Sequence, residues 1–117
     1  MKVLALIYAD PTSWETASAD EREAVYARYR AFGERARDSI VDGAELASTR
    51  SATTVRVRDG DTIVTDGPFA EAKEQLGGFY LFDCAGLDEA ERLAGDIPGA
   101  EWGAIELRGA HEEDEAA

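Results

Sequence analysis

Read for its hydrophobic and polar positions, the chain divides into short apolar runs and one long amphipathic stretch. Residues 3–8 (VLALIY) are apolar without alternation, and Asp10-Pro11 ends the run, which predicts a strand buried on both faces. Residues 10–17, carrying Trp14, read as a loop. Val25, Tyr29, Phe32 and Ala36 then recur at helical spacing, with Arg22, Arg28, Arg30, Glu34, Arg35 and Arg37 mostly off that stripe. Ser18-Ala19-Asp20-Glu21 has the S-x-x-E form of a capping box, so the helix starts there, ends near Asp38 and is followed by a turn at Gly43.

Residues 44–48 predict a short strand. The β-branched runs 53–58 and 61–65 are separated by Asp59-Gly60, a pair suited to the positive φ values of a type I′ turn, and so form a hairpin. Residues 70–76 are compatible with a short helical turn stopped by Gly77-Gly78. Residues 79–82 predict another strand that is apolar on both faces. A second capping box at Asp88–Glu91 opens a short helix whose face is Leu87, Ala90, Ala94 and Ile97, and residues 102–107 form the last strand.

This order fits an α+β fold: a ferredoxin-like antiparallel sheet with two main helices on one face, elaborated by the hairpin. Two helices cover only one face of such a sheet. Residues 3–8 and 79–82 are nevertheless apolar on both, where a half-solvated strand would alternate. The chain has no spare element for the second face, so sheet-on-sheet packing with a second copy, an isologous homodimer, is the economical expectation.

Length and charge narrow the function classes. At 117 residues the chain suits one domain of residues 1–110, and 44% hydrophobic residues describe a globular composition. With 12 Lys and Arg against 25 Asp and Glu, the net charge of −13 argues against direct nucleic-acid binding and against an anionic membrane surface. Four of those acids lie in residues 111–117, read as an acidic flexible tail; the body keeps a net −9. Cys84 is the single cysteine, so no intrachain disulfide or cysteine metal site can form, and it reads as a buried small hydrophobe. The first apolar run is too short for a signal peptide or a membrane span, which makes a cytoplasmic location the expectation. The acids lack metal-ligand spacing and no phosphate-loop glycine pattern occurs, so no cofactor is expected.

One segment carries chemistry. Residues 64–80 read VTDGPFAEAKEQLGGFY. In Asp66-Gly67-Pro68-Phe69, Gly67 permits a turn that side-chained residues resist and Pro68 fixes φ, so Asp66 is aimed away from a strand end. Its carboxylate could serve as a general acid or base; equally, it could close an Asx turn or cap residues 70–76. Phe69 and Lys73 follow as ligand-binding candidates, Lys73 for an anionic group, although Lys73-Glu74 also reads as a solvated pair. Gly78 could let a ligand approach the backbone or merely begin a strand. Tyr8 and Asp10 at the end of the first strand, with Arg56 on the hairpin, are further cleft candidates.

The segment resembles the signature of the YCII-related, or DGPF-domain, proteins. The opening MKVLALIYAD, the TTVRVRDG hairpin, GLDEAERLAGDIPGA and the closing AIELR fall in the family's order. The resemblance implies a dimeric α+β barrel of ferredoxin-like protomers, with a cleft near the Asp-Gly-Pro turn as the active site. It also implies association with extracytoplasmic-function sigma factors. In the wider family a histidine on the first helix is paired with the aspartate, but here that helix has none and the single histidine, His111, lies in the tail. Two functions therefore stand. One is a small-molecule-binding protein with Asp66 moving a proton. The other is a non-enzymatic sensor or accessory protein of a sigma factor, its acidic surface meeting a basic partner.

Overall fold

A computed structural model describes residues 1–111. The chain runs β1 (Lys2–Ala9), α1 (Pro11–Glu15), α2 (Ala19–Arg35), β2 (Ile40–Glu45), a 3₁₀ turn (Thr49–Ser51), β3 (Thr53–Arg58) and β4 (Asp61–Asp66). It continues through β5 (Gln75–Asp83), α3 (Leu87–Asp96), a second 3₁₀ turn (Pro98–Glu101) and β6 (Ala104–Gly109). The main sheet has the order β2-β5-β1-β6 with every neighbour antiparallel, and β3 and β4 form a separate two-stranded sheet. The fold is α+β and ferredoxin-like, with the hairpin inserted between the second and third strands of the main sheet.

Register assigns the faces. Val3 opposes Phe82, Ala5 lies between Tyr80 and Leu107, and Ile7 opposes Ile105, so these side chains share one face. There they pack with Phe32 and Ala36 of α2, Ala90 of α3 and Ile97 as a single core. Phe32, Tyr80 and Phe82 hold their ring centroids 5.2 to 6.4 Å apart, within the range where aromatic pairs attract beyond their buried area. The alternate residues Leu4, Leu6, Phe79 and Leu81 project to the other face and stay only half-buried. That is the uncovered apolar face expected from the two-faced strands.

The hairpin stands off this body. Asp59 and Gly60 adopt φ of 52° and 83°, as the type I′ reading required. On one side of it Val55, Val57 and Val64 are 59%, 58% and 62% exposed, while Thr54 and Arg56 on the other side are half-buried. The molecule spans 47 × 47 × 19 Å with a radius of gyration of 16.3 Å. A compact domain of 100 residues has about 13 Å, so the arm adds real reach.

Several boundaries differ from the sequence reading, each for a physical reason. The first capping box forms as expected: Glu21 N donates to Ser18 Oγ at 3.1 Å and Ser18 N to the Glu21 carboxylate at 3.0 Å. The second does not. Gly86 is the N-cap of α3 with no side-chain cap, and Glu89 instead accepts from Ala85 N at 2.8 Å. Leu87, placed on the buried face, is 48% exposed. Residues 10–17 contain α1, because Asp10-Pro11 is an N-cap followed by proline at the first helical position rather than a plain stop. Residues 70–76 form no helix; β5 begins at Gln75, and Gly77-Gly78 lie inside it. The second strand is Ile40–Glu45, with Gly43 within it instead of in a turn, and the last begins at Ala104. Cys84 is buried, in keeping with its reading as a small hydrophobe. Apart from His111, the predicted tail lies outside the described residues.

Candidate functional site

Strand β4 ends at Asp66, paired with Thr53, and the chain turns at Gly67 with φ of 106°. An added Cβ at Gly67 would meet nothing within 4 Å, so glycine is needed there for its backbone conformation alone. The turn is closed by main chain and threonine. Gly67 N donates to Ala52 O at 2.7 Å, and Thr54 Oγ1 donates to Gly67 O at 2.8 Å. Among the described residues, no hydrogen bond of this turn uses the Asp66 carboxylate. Pro68 is half-buried, Phe69 is 79% exposed, and the Arg56 guanidinium lies 5.4 Å from the Phe69 ring centroid. Asp66, Gly67, Pro68, Phe69 and Arg56 thus gather at the base of the hairpin.

The remaining candidates sit elsewhere. Tyr8 OH donates to Glu106 Oε1 at 3.4 Å on the open face of the sheet. Asp10 accepts from Thr12 N at 3.0 Å as the cap of α1, so its carboxylate already has a partner. Lys73 is exposed in the irregular segment before β5. Gly78 is buried in β5, where a Cβ would come within 2.9 Å of Ala44 O; close strand pairing accounts for its glycine.

Beside the hairpin base lies a polar depression that sequence reasoning missed. It has a volume of about 480 Å³ and is lined by Glu15, Arg22, Ser48, Arg50 and Ser51. Arg22, in the first turn of α2, donates from Nε and Nη2 to Trp14 O at 3.2 and 2.9 Å, and its guanidinium carbon lies 5.4 Å from the Trp14 ring centroid. Trp14 stands edge-on to Tyr26 at 5.3 Å, and Tyr26 OH donates to Glu45 Oε1 at 3.0 Å. Burial, followed by that hydrogen bond, pushes the Tyr26 phenol above its ordinary value. The depression and the Asp66 turn are joined through Ala52, which ends the 3₁₀ turn bearing Arg50 and Ser51 and accepts from Gly67 N. Sequence offered one signal for it, an arginine four residues into α2 and another 28 residues later, and neither pattern is specific.

A second depression, of about 370 Å³, is lined by Gly33, Arg37, Ile40, Asp42, Gly43 and Tyr80. Burial, with the neighbouring Tyr29 phenol adding a little, pushes Tyr80 up to about 12. None of the hairpin-base residues lines either depression. Among the described residues no group of three His, Cys, Asp or Glu side chains is placed to hold a metal ion, and no helix is long and apolar enough to cross a membrane.

The fold and the turn together define a small ferredoxin-like α+β protein with a carboxylate presented at a strand end. The model of the YCII-related domain matches residues 1–112, and the chain belongs to that family. An uncharacterized protein of Rhizobium meliloti (strain 1021) is 60% identical over 57 residues, which are 49% of this chain and 46% of that protein. The match thus spans about half the length of that relative. Among solved structures, the chain is similar to a 5-chloro-2-hydroxyhydroquinone dehydrochlorinase (TftG) from Burkholderia phenoliruptrix AC1100, in complex with 2,5-dihydroxybenzoquinone. That likeness has a TM-score of 0.57 at 18% identity and covers 99% of this chain and 100% of that one; it establishes the shared fold.

Proposed function

We propose that the chain is a single-domain protein that binds a small, hydroxylated organic ligand at the base of its hairpin, with Asp66 as the proton-transferring group. The carrying observation is that the turn is held by Gly67, Ala52 and Thr54. A carboxylate whose turn is closed without it is available to a ligand, which weighs against Asp66 as a turn-closing residue. Arg56 and the exposed Phe69 ring add a cation and an aromatic surface beside it.

The ligand class follows from the structural neighbour, whose complex contains a dihydroxylated quinone. Removal of hydrogen chloride, the reaction that protein is named for, releases a proton and a chloride ion. A carboxylate in the position of Asp66 can take that proton from a substrate hydroxyl. The site is completed in a homodimer. Leu4, Leu6, Phe79 and Leu81 form one uncovered apolar face and Val55, Val57 and Val64 another, and a second copy of the chain covers both.

The test is calorimetric titration of 2,5-dihydroxybenzoquinone against the wild-type protein and Asp66→Asn, with turnover of the chlorinated hydroxyhydroquinone followed by chloride release. Binding by the wild type that weakens at least about tenfold in the variant supports the reading. Identical binding and turnover would remove Asp66 from the site. A wild-type protein with no affinity for this class would overturn the reading and leave the alternative, an accessory protein of a sigma factor, to be tested.

A further inference from the structure

The depression between α1, α2 and the first 3₁₀ turn has an unusual lining for so acidic a protein. Two guanidinium groups, two hydroxyls and a single carboxylate form it, in a chain whose net charge is −13. Every lining residue carries a polar or charged group, and two guanidinium groups against one carboxylate give a charge balance that favours an anion.

The two arginines differ in kind. Arg22 is fixed in advance: Trp14 O accepts from its Nε and Nη2, Glu15 O accepts from Nη2 at 3.3 Å, and the Trp14 ring stacks beside it. Little side-chain freedom remains to be lost on binding. Arg50 is loosely held. Its side chain is 81% exposed, and its Nη2 lies 3.1 Å from Glu15 Oε2. Such an exposed ion pair is weak, so an incoming anion can exchange with Glu15 at little cost. Ser48 Oγ accepts from Arg50 N at 3.2 Å, which ties the backbone of Arg50 to the wall, and Ser51 Oγ donates to Ser48 O at 2.8 Å. The Ser48 hydroxyl keeps its own proton for a ligand oxygen.

We propose that this depression is an oxyanion subsite, taking the carboxylate or phosphate group of a small molecule between the fixed Arg22 and the movable Arg50. Arg50, once it leaves Glu15, can turn its guanidinium fork to the paired oxygens of either group, while Arg22, whose Nε and Nη2 are held by Trp14 O and Glu15 O, offers its Nη1 protons. The proposal goes beyond the reading of Asp66 and does not depend on it, because no residue of the Asp66 turn lines the depression.

The experiment is amide and side-chain nitrogen NMR, following the Arg22 Nε–H and Trp14 indole N–H. The protein is titrated with sodium benzoate and separately with inorganic phosphate, with sodium chloride as the ionic-strength control. Saturable shifts at both signals with benzoate, phosphate or both are expected, and the two arms tell which oxyanion is held. Arg50→Ala, at an exposed position, should weaken the binding about tenfold. Arg50→Lys should restore part of it. Arg30→Ala, whose partner Glu23 is outside the lining, and Asp66→Asn should leave it within about twofold. The proposal is overturned by shifts that chloride reproduces, by the absence of saturation with either oxyanion, or by an unchanged affinity in Arg50→Ala. Loss of binding in Asp66→Asn would also defeat it as a separate subsite.

Discussion

Two glycines with equal free space should respond in opposite directions to the same methyl group. At Gly33, in the last turns of α2, and at Gly67, in the Asp66 turn, an added Cβ meets nothing within 4 Å, so neither variant overpacks. Gly→Ala restricts the unfolded chain in both cases and by itself stabilises by about 0.4–1 kcal/mol. Gly33 has helical backbone, where alanine is favoured over glycine by up to about 1 kcal/mol in total. Gly67 sits at φ of 106°, where an L side chain carries a strain of about 1–3 kcal/mol. The strain exceeds the unfolded-state gain, leaving Gly67→Ala destabilised by about 1–2 kcal/mol. For a domain of this size that corresponds to a fall of roughly 4–8 °C in Tm and Gly33→Ala to a smaller rise. Guanidinium denaturation followed by circular dichroism, at one fixed protein concentration because association shifts apparent stability, measures both. Shifts of the same sign in the two variants would show that backbone φ is not the deciding quantity.

Ser18→Ala should cost about 1 kcal/mol by removing the acceptor for Glu21 N, read in the same denaturation experiment. The hydrogen bonds from Ser18 hold the Glu21 carboxyl below its ordinary 4.5. The box's pH-dependent contribution is therefore present above that value and fades as pH falls through the lowered one. Tyr80, raised by burial to about 12, should stay neutral while an ordinary phenol titrates. Because the folded value lies above the unfolded one, its contribution is full below pH 10 and is lost as pH rises toward 12. Ultraviolet phenolate absorbance of wild type against Tyr80→Phe checks this: the two curves should coincide near pH 10 and part only as pH rises toward 12, and a wild-type excess already present near pH 10 would contradict it. In the proposed homodimer, Val64→Lys, on the exposed side of the hairpin, should weaken self-association in sedimentation equilibrium with little loss of helix signal; a wild-type monomer, or association that the substitution leaves unchanged, would contradict an interface there.

Local chemistry was legible in the sequence where a short motif decides the backbone. Asp59-Gly60 predicted its turn because few other pairs accept two positive φ values, and Ser18–Glu21 predicted its box because both partners lie within four residues. The reading failed where the same residues serve two geometries. Asp10-Pro11 looked like a strand stop and is also a helix start. Gly77-Gly78 looked like an interruption, yet β5 runs through it because the Ala44 carbonyl passes too close for a side chain at Gly78. The second S-x-x-E-like pattern failed because the helix is capped two residues earlier, at Gly86, which has no side chain to accept, and Glu89 finds the Ala85 amide. At the site, the Asp66 turn announced itself through Gly67 and Pro68. The Arg22 and Arg50 depression did not, since Trp14 O, the anchor of Arg22, is a main-chain atom eight residues away that no side-chain pattern encodes.

The central claim is that the Asp66 carboxylate meets the ligand. Carbon-detected NMR of the carboxylate signals, assigned through Asp66→Asn, reads that contact directly as 2,5-dihydroxybenzoquinone is added. The Asp66 side-chain carbon should shift and saturate together with the Gly67 amide, while Asp10, bound to Thr12 N, stays in place. A ligand that binds with saturating shifts elsewhere and leaves the Asp66 carbon unmoved would contradict it.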